Sequence, residues 1–228
     1  MKVIFIIILS LLLSILGCSQ STNSEDSAGT TVAHWAFNEM EGLVLHDISD
    51  SNNDGQIINA EWVSGGLQFS DSSYVTVPYS NSLHPRSELT IEALFMMDYF
   101  YKNGSAAIVS TNASGGYGLW NYQGNLSLFI MINSVYYSAN EIANFNINEP
   151  YHIAGTFDGE SIKFFVNGIL KDSIHAEGKI TYDFNNALQI GRDASMDEEP
   201  GGDQFYGIIS EIRISSKALE PDEFITIP

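Results

Sequence analysis

The residues best suited to binding chemistry in this sequence are aromatic side chains followed by carboxylates. Trp120 and Tyr122 are two positions apart, so on a β-strand their rings lie on one face, and Tyr136 follows soon after. Aromatic rings pack against the apolar face of a sugar ring, while Asp193 and the acidic loop 196–203 could hydrogen-bond its hydroxyls. We therefore expect these residues to line a sugar-binding surface. Core packing is the alternative, because strand aromatics also serve as cross-strand partners.

His152 is a further candidate for ligand binding. On a predicted strand it faces away from Ile153 and lies on the same side as Ala154 and Thr156. If that face is open, the imidazole can contact a ligand. The alternative is a polar strand residue whose hydrogen bonds are satisfied inside the fold.

The motifs of two hydrolase classes are missing from the sequence. It has no G-x-S-x-G segment for a serine nucleophile, and its 5 His residues include no H-E-x-x-H pair for zinc. The sequence therefore predicts neither kind of enzyme.

The elements that must position these residues are short strands. Period-two alternation in 89–93, 161–163 and 210–214 predicts strands with one face inward, and apolar runs predict others at 32–37, 74–77, 106–110, 118–122, 126–132, 152–157 and 188–191. Asn167-Gly168 predicts a tight type I′ hairpin, and 219–224 a short helical turn. Without a βαβ rhythm, the pattern predicts an all-β fold of two packed antiparallel sheets.

The first residues have the pattern of an export signal. Lys2 precedes an apolar run over 3–16, which is shorter than a helix needs to cross a bilayer. The segment Ile15-Leu16-Gly17-Cys18 resembles the lipobox of bacterial lipoproteins, which implies cleavage before Cys18 and acylation of its sulfur. We expect a signal peptide over 1–17, the lipidated Cys18 with a flexible tether to 31, and one domain over 32–228.

The charge of the chain is strongly acidic. It has 28 Asp and Glu against 9 Lys and Arg, a formal net charge of −19. Such a chain repels phosphate backbones and anionic lipid, so nucleic acid is excluded as a partner and the membrane is expected to be contacted through the lipid anchor only.

A series of segments resembles one known family. In chain order they are HWAFNE (34–39), DIS (47–49), NDG (53–55), GLQF (66–69), YVTVP (74–78), LTIEA (89–93), YHIAGTFDG (151–159), FVNG (165–168), LQIG (188–191) and FYGIISEIRI (205–214). Over residues 32–226 the chain is similar to LamG-like domains of the concanavalin A-like lectin and glucanase superfamily. The resemblance implies a two-sheet antiparallel jelly-roll sandwich with Trp35 and Phe37 in its core.

The resemblance also implies a structural calcium site. The matching ligands are Asp47, Asn53, Gly55 and Glu211, although Ser210 stands where many relatives have Asp. Loops rich in Asp and Asn supply the oxygen ligands that Ca²⁺ prefers. The alternative is that these side chains form turns through hydrogen bonds to the backbone.

For activity, the resemblance favours a binding module over an enzyme. Glucanases of this fold carry E-x-D-x-x-E on one strand, and neither 88–92 nor 210–213 has that spacing. We expect an envelope lipoprotein, on the outer membrane or cell surface, that captures a poly- or oligosaccharide without catalysis. A protein-interaction or adhesion scaffold is the alternative, and an atypical glycoside hydrolase is the third possibility.

Overall fold

The strands of this protein pair into two antiparallel sheets of eight strands each, within the part of the chain that the computed structural model describes. That part comprises residues 30–111, 115–142, 145–182, 186–193 and 203–226. The predicted signal peptide and Cys18 lie outside it. Among the described residues, no helix has the length and apolar character needed to cross a membrane.

The first sheet contains the strands β1 (Thr31–Trp35), β4 (Glu61–Val63), β5 (Gly66–Phe69), β7 (Leu89–Met97), β12 (Pro150–Phe157), β13 (Ser161–Val166), β14 (Ile169–His175) and β16 (Gly207–Ser215). Their order is β14-β13-β12-β7-β16-β5-β4, and β1 pairs with β16 as well.

The second sheet contains β2 (Val44–Leu45), β3 (Gly55–Ile58), β6 (Tyr74–Val77), β8 (Ser105–Ser110), β9 (Tyr117–Tyr122), β10 (Asn125–Ile132), β11 (Val135–Ile142) and β15 (Leu188–Ile190). Their order is β11-β10-β9-β8-β15-β6-β3-β2. The predicted two-sheet antiparallel sandwich is confirmed.

The core between the sheets is built from alternate residues of each strand. On β10, Leu126, Leu128 and Ile130 are fully buried in it. A Cβ atom at Gly155 of β12 would lie 2.7 Å from the Leu128 side chain, so the sheets approach closely there only because this residue is glycine. Alternation on the strands thus produces one continuous apolar interior.

Two local predictions are confirmed at the ends of strands. Asn167 and Gly168 connect β13 to β14 with φ of 50° and 73°, the positive angles that a type I′ turn requires. Near the C-terminus, Pro221–Glu223 form a 3₁₀ turn. The Glu220 N–H donates to the Glu223 carboxylate at 2.8 Å, so the turn is closed by a capping box.

β7 is buried on both faces, which differs from the half-buried strand that its alternation predicts. Thr90 and Glu92, on the face away from the core, are both 0% exposed. The Thr90 hydroxyl donates to the Lys217 carbonyl at 2.6 Å, and the Ile225 N–H donates to the Glu92 carboxylate at 2.8 Å. The C-terminal segment, residues 216–226, therefore covers the outer face of the first sheet at β7.

Candidate functional site

The outer face of the second sheet carries aromatic side chains where strand alternation predicts polar ones. On β9, Tyr117 and Leu119 belong to the core, so Trp120 and Tyr122 point to the outer face. On β10, the core residues Leu128 and Ile130 leave the intervening Phe129 on that outer face. An apolar outer face on an edge-proximal part of a sheet marks a candidate binding surface.

These side chains line a cleft of about 350 Å³. Its lining residues are Ser105, Trp120, Tyr122, Phe129, Tyr136, Asp193 and Asp203. The structure therefore brings together Trp120, Tyr122, Tyr136 and Asp193, four of the five residues predicted to bind a ligand. We refer to this feature as the aromatic cleft.

Phe129 packs against two other rings of the aromatic cleft. The ring of Trp120 meets it edge-on, with centroids 6.2 Å apart and planes at 79°, and Tyr122 does the same at 5.3 Å and 80°. Trp120 is only 7% exposed, whereas Tyr122 is 40% and Tyr136 48% exposed. Tyr122 and Tyr136 thus offer open ring surface, while Trp120 lies beneath them.

Gly118 leaves the space that the Trp120 indole occupies. A Cβ atom at position 118 would lie 2.6 Å from Trp120 Nε1, closer than real Cβ atoms approach other atoms. Nε1 is buried and has no hydrogen-bond partner among the described residues. An unsatisfied buried donor is uncommon and costs stability.

The rim of the cleft is acidic. The Ser110 hydroxyl donates to Asp193 at 3.2 Å, and the Ser105 hydroxyl donates to Asp203. Both serines belong to β8, so one strand holds both carboxylates in place. Of the acidic loop predicted to form a polar wall, Asp203 is described and lies on the cleft, while residues 196–202 fall outside the described residues.

His152 does not join the other predicted ligand-binding residues. It lies on β12 of the first sheet, is 1% exposed, and its Nε2 is 3.1 Å from the Glu92 carboxylate. The ring of Phe224 covers it, with centroids 5.9 Å apart. The prediction that His152 binds ligand is therefore corrected: the C-terminal segment leaves this imidazole no accessible surface.

The Asp47 carboxylate is fully used as a turn former. Its Oδ1 accepts from the N–H groups of His34, at 2.8 Å, and Ser49, at 2.9 Å. Its Oδ2 accepts from the Asn53 N–H at 2.8 Å and from the Ser49 hydroxyl at 2.9 Å. These four bonds match the turn-forming alternative.

The other residues implied as calcium ligands have contacts of their own within the fold. Glu211 Oε1 lies 2.7 Å from Nε2 of His34, the Asn53 amide donates to the Val32 carbonyl at 2.7 Å, and Gly55 lies within β3. Asp47, Asn53 and Glu211 thus each have hydrogen-bond partners within the fold. No group of three or more His, Cys, Asp or Glu side chains that could hold a metal occurs in the described part of the chain.

One carboxylate near these loops is less fully engaged. Glu39 Oε1 accepts from the His46 N–H at 2.8 Å, but its Oε2 is buried without a hydrogen-bond partner among the described residues. Calcium binding by the chain stays a prediction.

Two cleft residues escaped the sequence reasoning. Phe129 could have been recognised, because Leu126, Leu128 and Ile130 set the core face of β10 and leave Phe129 apolar on the other face. Ser105 gave no such signal, since its role depends on Asp203, which is distant in sequence and adjacent only in the fold.

The comparison with known families covers most of the sandwich. A family model described as the concanavalin A-like lectin/glucanases superfamily matches residues 69–224. No curated protein sequence matches the chain.

Several solved structures share the fold. Domain 4 of AbnA, a GH43 extracellular arabinanase from Geobacillus stearothermophilus solved with arabinotriose, is similar with a TM-score of 0.66 and 17% identity, over 85% of this chain and 96% of that one. The botulinum neurotoxin serotype D ligand-binding domain, solved with N-acetylneuraminic acid, is similar with a TM-score of 0.65 and 16% identity, over 86% of this chain and 49% of that one.

The receptor-binding domain of the botulinum neurotoxin C/D mosaic serotype gives a TM-score of 0.64 at 16% identity, over 86% of this chain and 50% of that one. The chain thus spans about half the length of the toxin domains that it matches. At such identities the structures show a shared fold and nothing finer. From the family match, which extends over residues 69–224 of this two-sheet sandwich, the chain belongs to the concanavalin A-like lectin/glucanase superfamily.

Proposed function

We propose that this protein binds a poly- or oligosaccharide in the aromatic cleft and performs no chemistry on it. The observation that carries the proposal is the combination of open aromatic rings with carboxylates in one cleft of about 350 Å³. Sites of this kind take most of their affinity from apolar contact and their orientation from a few polar groups.

Each group of the cleft has a role in such binding. The rings of Tyr122 and Tyr136 pack against the C–H face of a sugar unit. Asp193 and Asp203 accept hydrogen bonds from its hydroxyls. Because the serines of β8 fix both carboxylates, little ordering remains to be done on binding.

The comparisons support carbohydrate as the ligand class. AbnA domain 4 was solved with arabinotriose, and the neurotoxin serotype D domain with N-acetylneuraminic acid. Two proteins of this fold therefore hold sugars in their structures.

Binding without hydrolysis is the second part of the proposal. The sequence lacks E-x-D-x-x-E, the carboxylate spacing that glucanases of this fold carry. Because Asp193 and Asp203 both line the cleft, the absence of hydrolysis has to be measured directly. A sensitive assay for released reducing sugar, run on every polysaccharide that the protein retains, should find none.

The experiment that tests the function is retention of the protein on a panel of immobilised polysaccharides. We expect retention on at least one polymer, and loss of it in Tyr122→Ala. Leu170→Ala is the matched control, because Leu170 is 50% exposed on β14 of the other sheet. Equal retention of Tyr122→Ala and Leu170→Ala would place the ligand elsewhere.

A protein partner is the second candidate, and a groove on the first sheet favours it. This groove, of about 360 Å³, is lined by Ser64, Gly65, Leu94, Phe95, Met96, Pro150, Ile208 and Ser210. None of the described residues in that lining is charged, as is typical of the centre of protein interfaces. Failure of a folded protein to bind any polysaccharide would make this groove the better candidate site.

We further propose that the domain is held at the cell envelope by a lipid on Cys18. The lipobox-like segment before Cys18 and the polar residues 19–31 support this arrangement. The tether would keep the aromatic cleft away from the membrane surface and open to a polymer.

A further inference from the structure

Three tyrosines form a second aromatic surface close to the acidic rim of the cleft. The ring centroids of Tyr99 and Tyr101 are 4.8 Å apart with planes at 85°, and those of Tyr101 and Tyr206 are 6.5 Å apart at 37°. We refer to Tyr99, Tyr101 and Tyr206 as the tyrosine cluster. Tyr99 is 58% exposed, so its ring offers open apolar surface.

The tyrosine cluster is fixed relative to the aromatic cleft by Asn121. The Tyr101 N–H donates to the Asn121 side-chain oxygen at 2.6 Å, and the Asn121 amide nitrogen donates to the Tyr101 carbonyl at 3.3 Å. Asn121 is fully buried and lies on β9 between Trp120 and Tyr122, two residues that line the cleft. The loop that carries Tyr99 and Tyr101 is therefore anchored to the strand that forms the cleft floor.

Asp203 connects the two surfaces. It lines the cleft, and Tyr206 follows it by three residues in the same segment. In extended backbone, three residues span about 10 Å, which exceeds the width of one sugar ring. The Ser105 hydroxyl donates to Asp203, and Ser105 begins β8 four residues after Tyr101, so Asp203 lies where the loop that carries Tyr101 joins the sheet.

The tyrosine cluster repeats the chemistry of the cleft. Its exposed ring is accompanied by carboxylates, because the Tyr206 hydroxyl donates to Asp71 and Gln68 donates to Asp98 at 2.9 Å. The hydrogen bond to Asp71 is the largest cause that raises the pKa of Tyr206 to about 12, so this phenol stays neutral and keeps its proton. Rings beside fixed carboxylates suit sugar units that lie flat on one face and hydrogen-bond at their edges.

We infer that the tyrosine cluster is a second sugar-contact site, continuous with the aromatic cleft across Asp203, and that the ligand is a glycan chain of several units. This inference rests on the proposed function. A single terminal sugar fills the cleft alone, whereas a chain reaches both surfaces. The affinity of a chain should therefore grow with its length until the tyrosine cluster is occupied.

The test is calorimetric titration of the full chain in detergent with neutral oligosaccharides of increasing length, from disaccharide to hexasaccharide, made from β-glucan, xylan and arabinan. For the wild type we expect affinity to rise with length in the series that binds. Tyr99→Ala should lower the affinity for the longest ligand by roughly tenfold and leave that for the shortest unchanged. Tyr99→Phe keeps the ring and should behave as the wild type, as should Leu170→Ala.

The outcomes separate this inference from the function on which it rests. If Tyr99→Ala matches the wild type at every length while Tyr122→Ala loses all binding, glycan binding in the aromatic cleft is supported and the second site is refuted. An equal loss at all lengths would assign Tyr99 to the cleft itself and overturn a separate site. If no oligosaccharide or polymer binds the wild type, both the second site and the proposed function fail.

Discussion

The two carboxylates of the cleft bear on whether a neutral or an acidic glycan would bind there. Asp193 and Asp203 lie in its lining, which contains no Lys or Arg among the described residues. A uronic or sialic acid would bring a like charge to these groups, whereas neutral hydroxyls donate to them. If the cleft binds a glycan as proposed, we expect it to favour neutral glycans over acidic ones.

This charge preference gives a first prediction. The protein should bind neutral polysaccharides, and its affinity for acidic ones such as polygalacturonate should be at least about tenfold lower. Asp193→Asn should weaken neutral binding by about 1–2 kcal/mol, since a charged acceptor becomes a weaker one. Both are measured by affinity electrophoresis in gels containing each polymer. Tighter binding to the acidic polymers would contradict the assigned site.

Asp47 gives a second prediction at the scale of single residues. Because its carboxylate accepts four hydrogen bonds within the fold, Asp47→Ala should lower the free energy of unfolding by about 2–4 kcal/mol. Urea unfolding would measure it, once with calcium and once with a chelator. The same loss in both conditions is expected for a turn former. A loss seen only with calcium would instead support the calcium site.

The identities of single site residues were partly readable from the sequence. Trp120 and Tyr122 were recognisable as candidates because their period-two spacing places both rings on one strand face, but the sequence left core packing open as the alternative. The burial of His152 could not be predicted from the local sequence. Its strand face was assigned correctly, but the segment that covers it lies far along the chain, and no local pattern indicates such a contact.

At the scale of elements, the C-terminal segment is bound by a buried charge network. Glu92 is fully buried, and Arg213 donates to it through Nε at 2.8 Å and lies 2.6 Å away through Nη2. Arg213 also donates to the Glu223 carbonyl, and Leu219 and Phe224 pack against Ala154 and Phe165. Polar and apolar contacts thus hold the C-terminal segment on the same face of the first sheet.

This network gives a third prediction. Arg213→Met should lower the free energy of unfolding by about 3–5 kcal/mol, because it leaves the Glu92 charge buried without its partner. Adding Glu92→Gln should restore much of that loss, since a neutral amide still accepts the bonds from Ile225 and His152. Urea unfolding of the two variants and the wild type measures both steps. Equal stability of the single and double variants would contradict this account of the buried charge network.

The elements themselves were largely predictable. The predicted strand over 74–77 matches Tyr74–Val77, and 126–132 falls within Asn125–Ile132. β11 was missed as a strand, because its polar sequence VYYSANEI lacks apolar alternation and the two-residue turn that joins it to β10, Asn133-Ser134, lacks the Gly that usually marks a tight hairpin. Burial of β7 on both faces also depends on distant residues, and the strand's own sequence cannot reveal it.

At the scale of the whole molecule, the fold was predictable because many weak segments occur in one order over the chain. The family match over residues 69–224 confirms that reading. The ligand could not be predicted in the same way, since the superfamily uses one scaffold for many purposes. What distinguishes this chain is the set of outer-face residues, and few of those are specified by the fold.

Attachment to the envelope gives a fourth prediction. In cells, the wild-type chain should fractionate with membranes and incorporate labelled fatty acid, whereas Cys18→Ser should lose the label and the membrane association. A single Cys in the sequence makes the comparison direct. Label retained in Cys18→Ser would show that another residue or segment anchors the chain.

The central claim, that a glycan occupies the aromatic cleft, is tested most directly by the indole signals of the three Trp residues. In ¹H–¹⁵N spectra, the Trp35 N–H, bonded to the Asn53 carbonyl at 2.9 Å, and the Trp62 N–H, bonded to the Gly42 carbonyl at 3.0 Å, serve as internal references. On titration with the retained polysaccharide, the Trp120 indole signal should shift and the other two should stay. Movement of Trp62 or Trp35 with a stationary Trp120 would place the glycan elsewhere and contradict the proposed site.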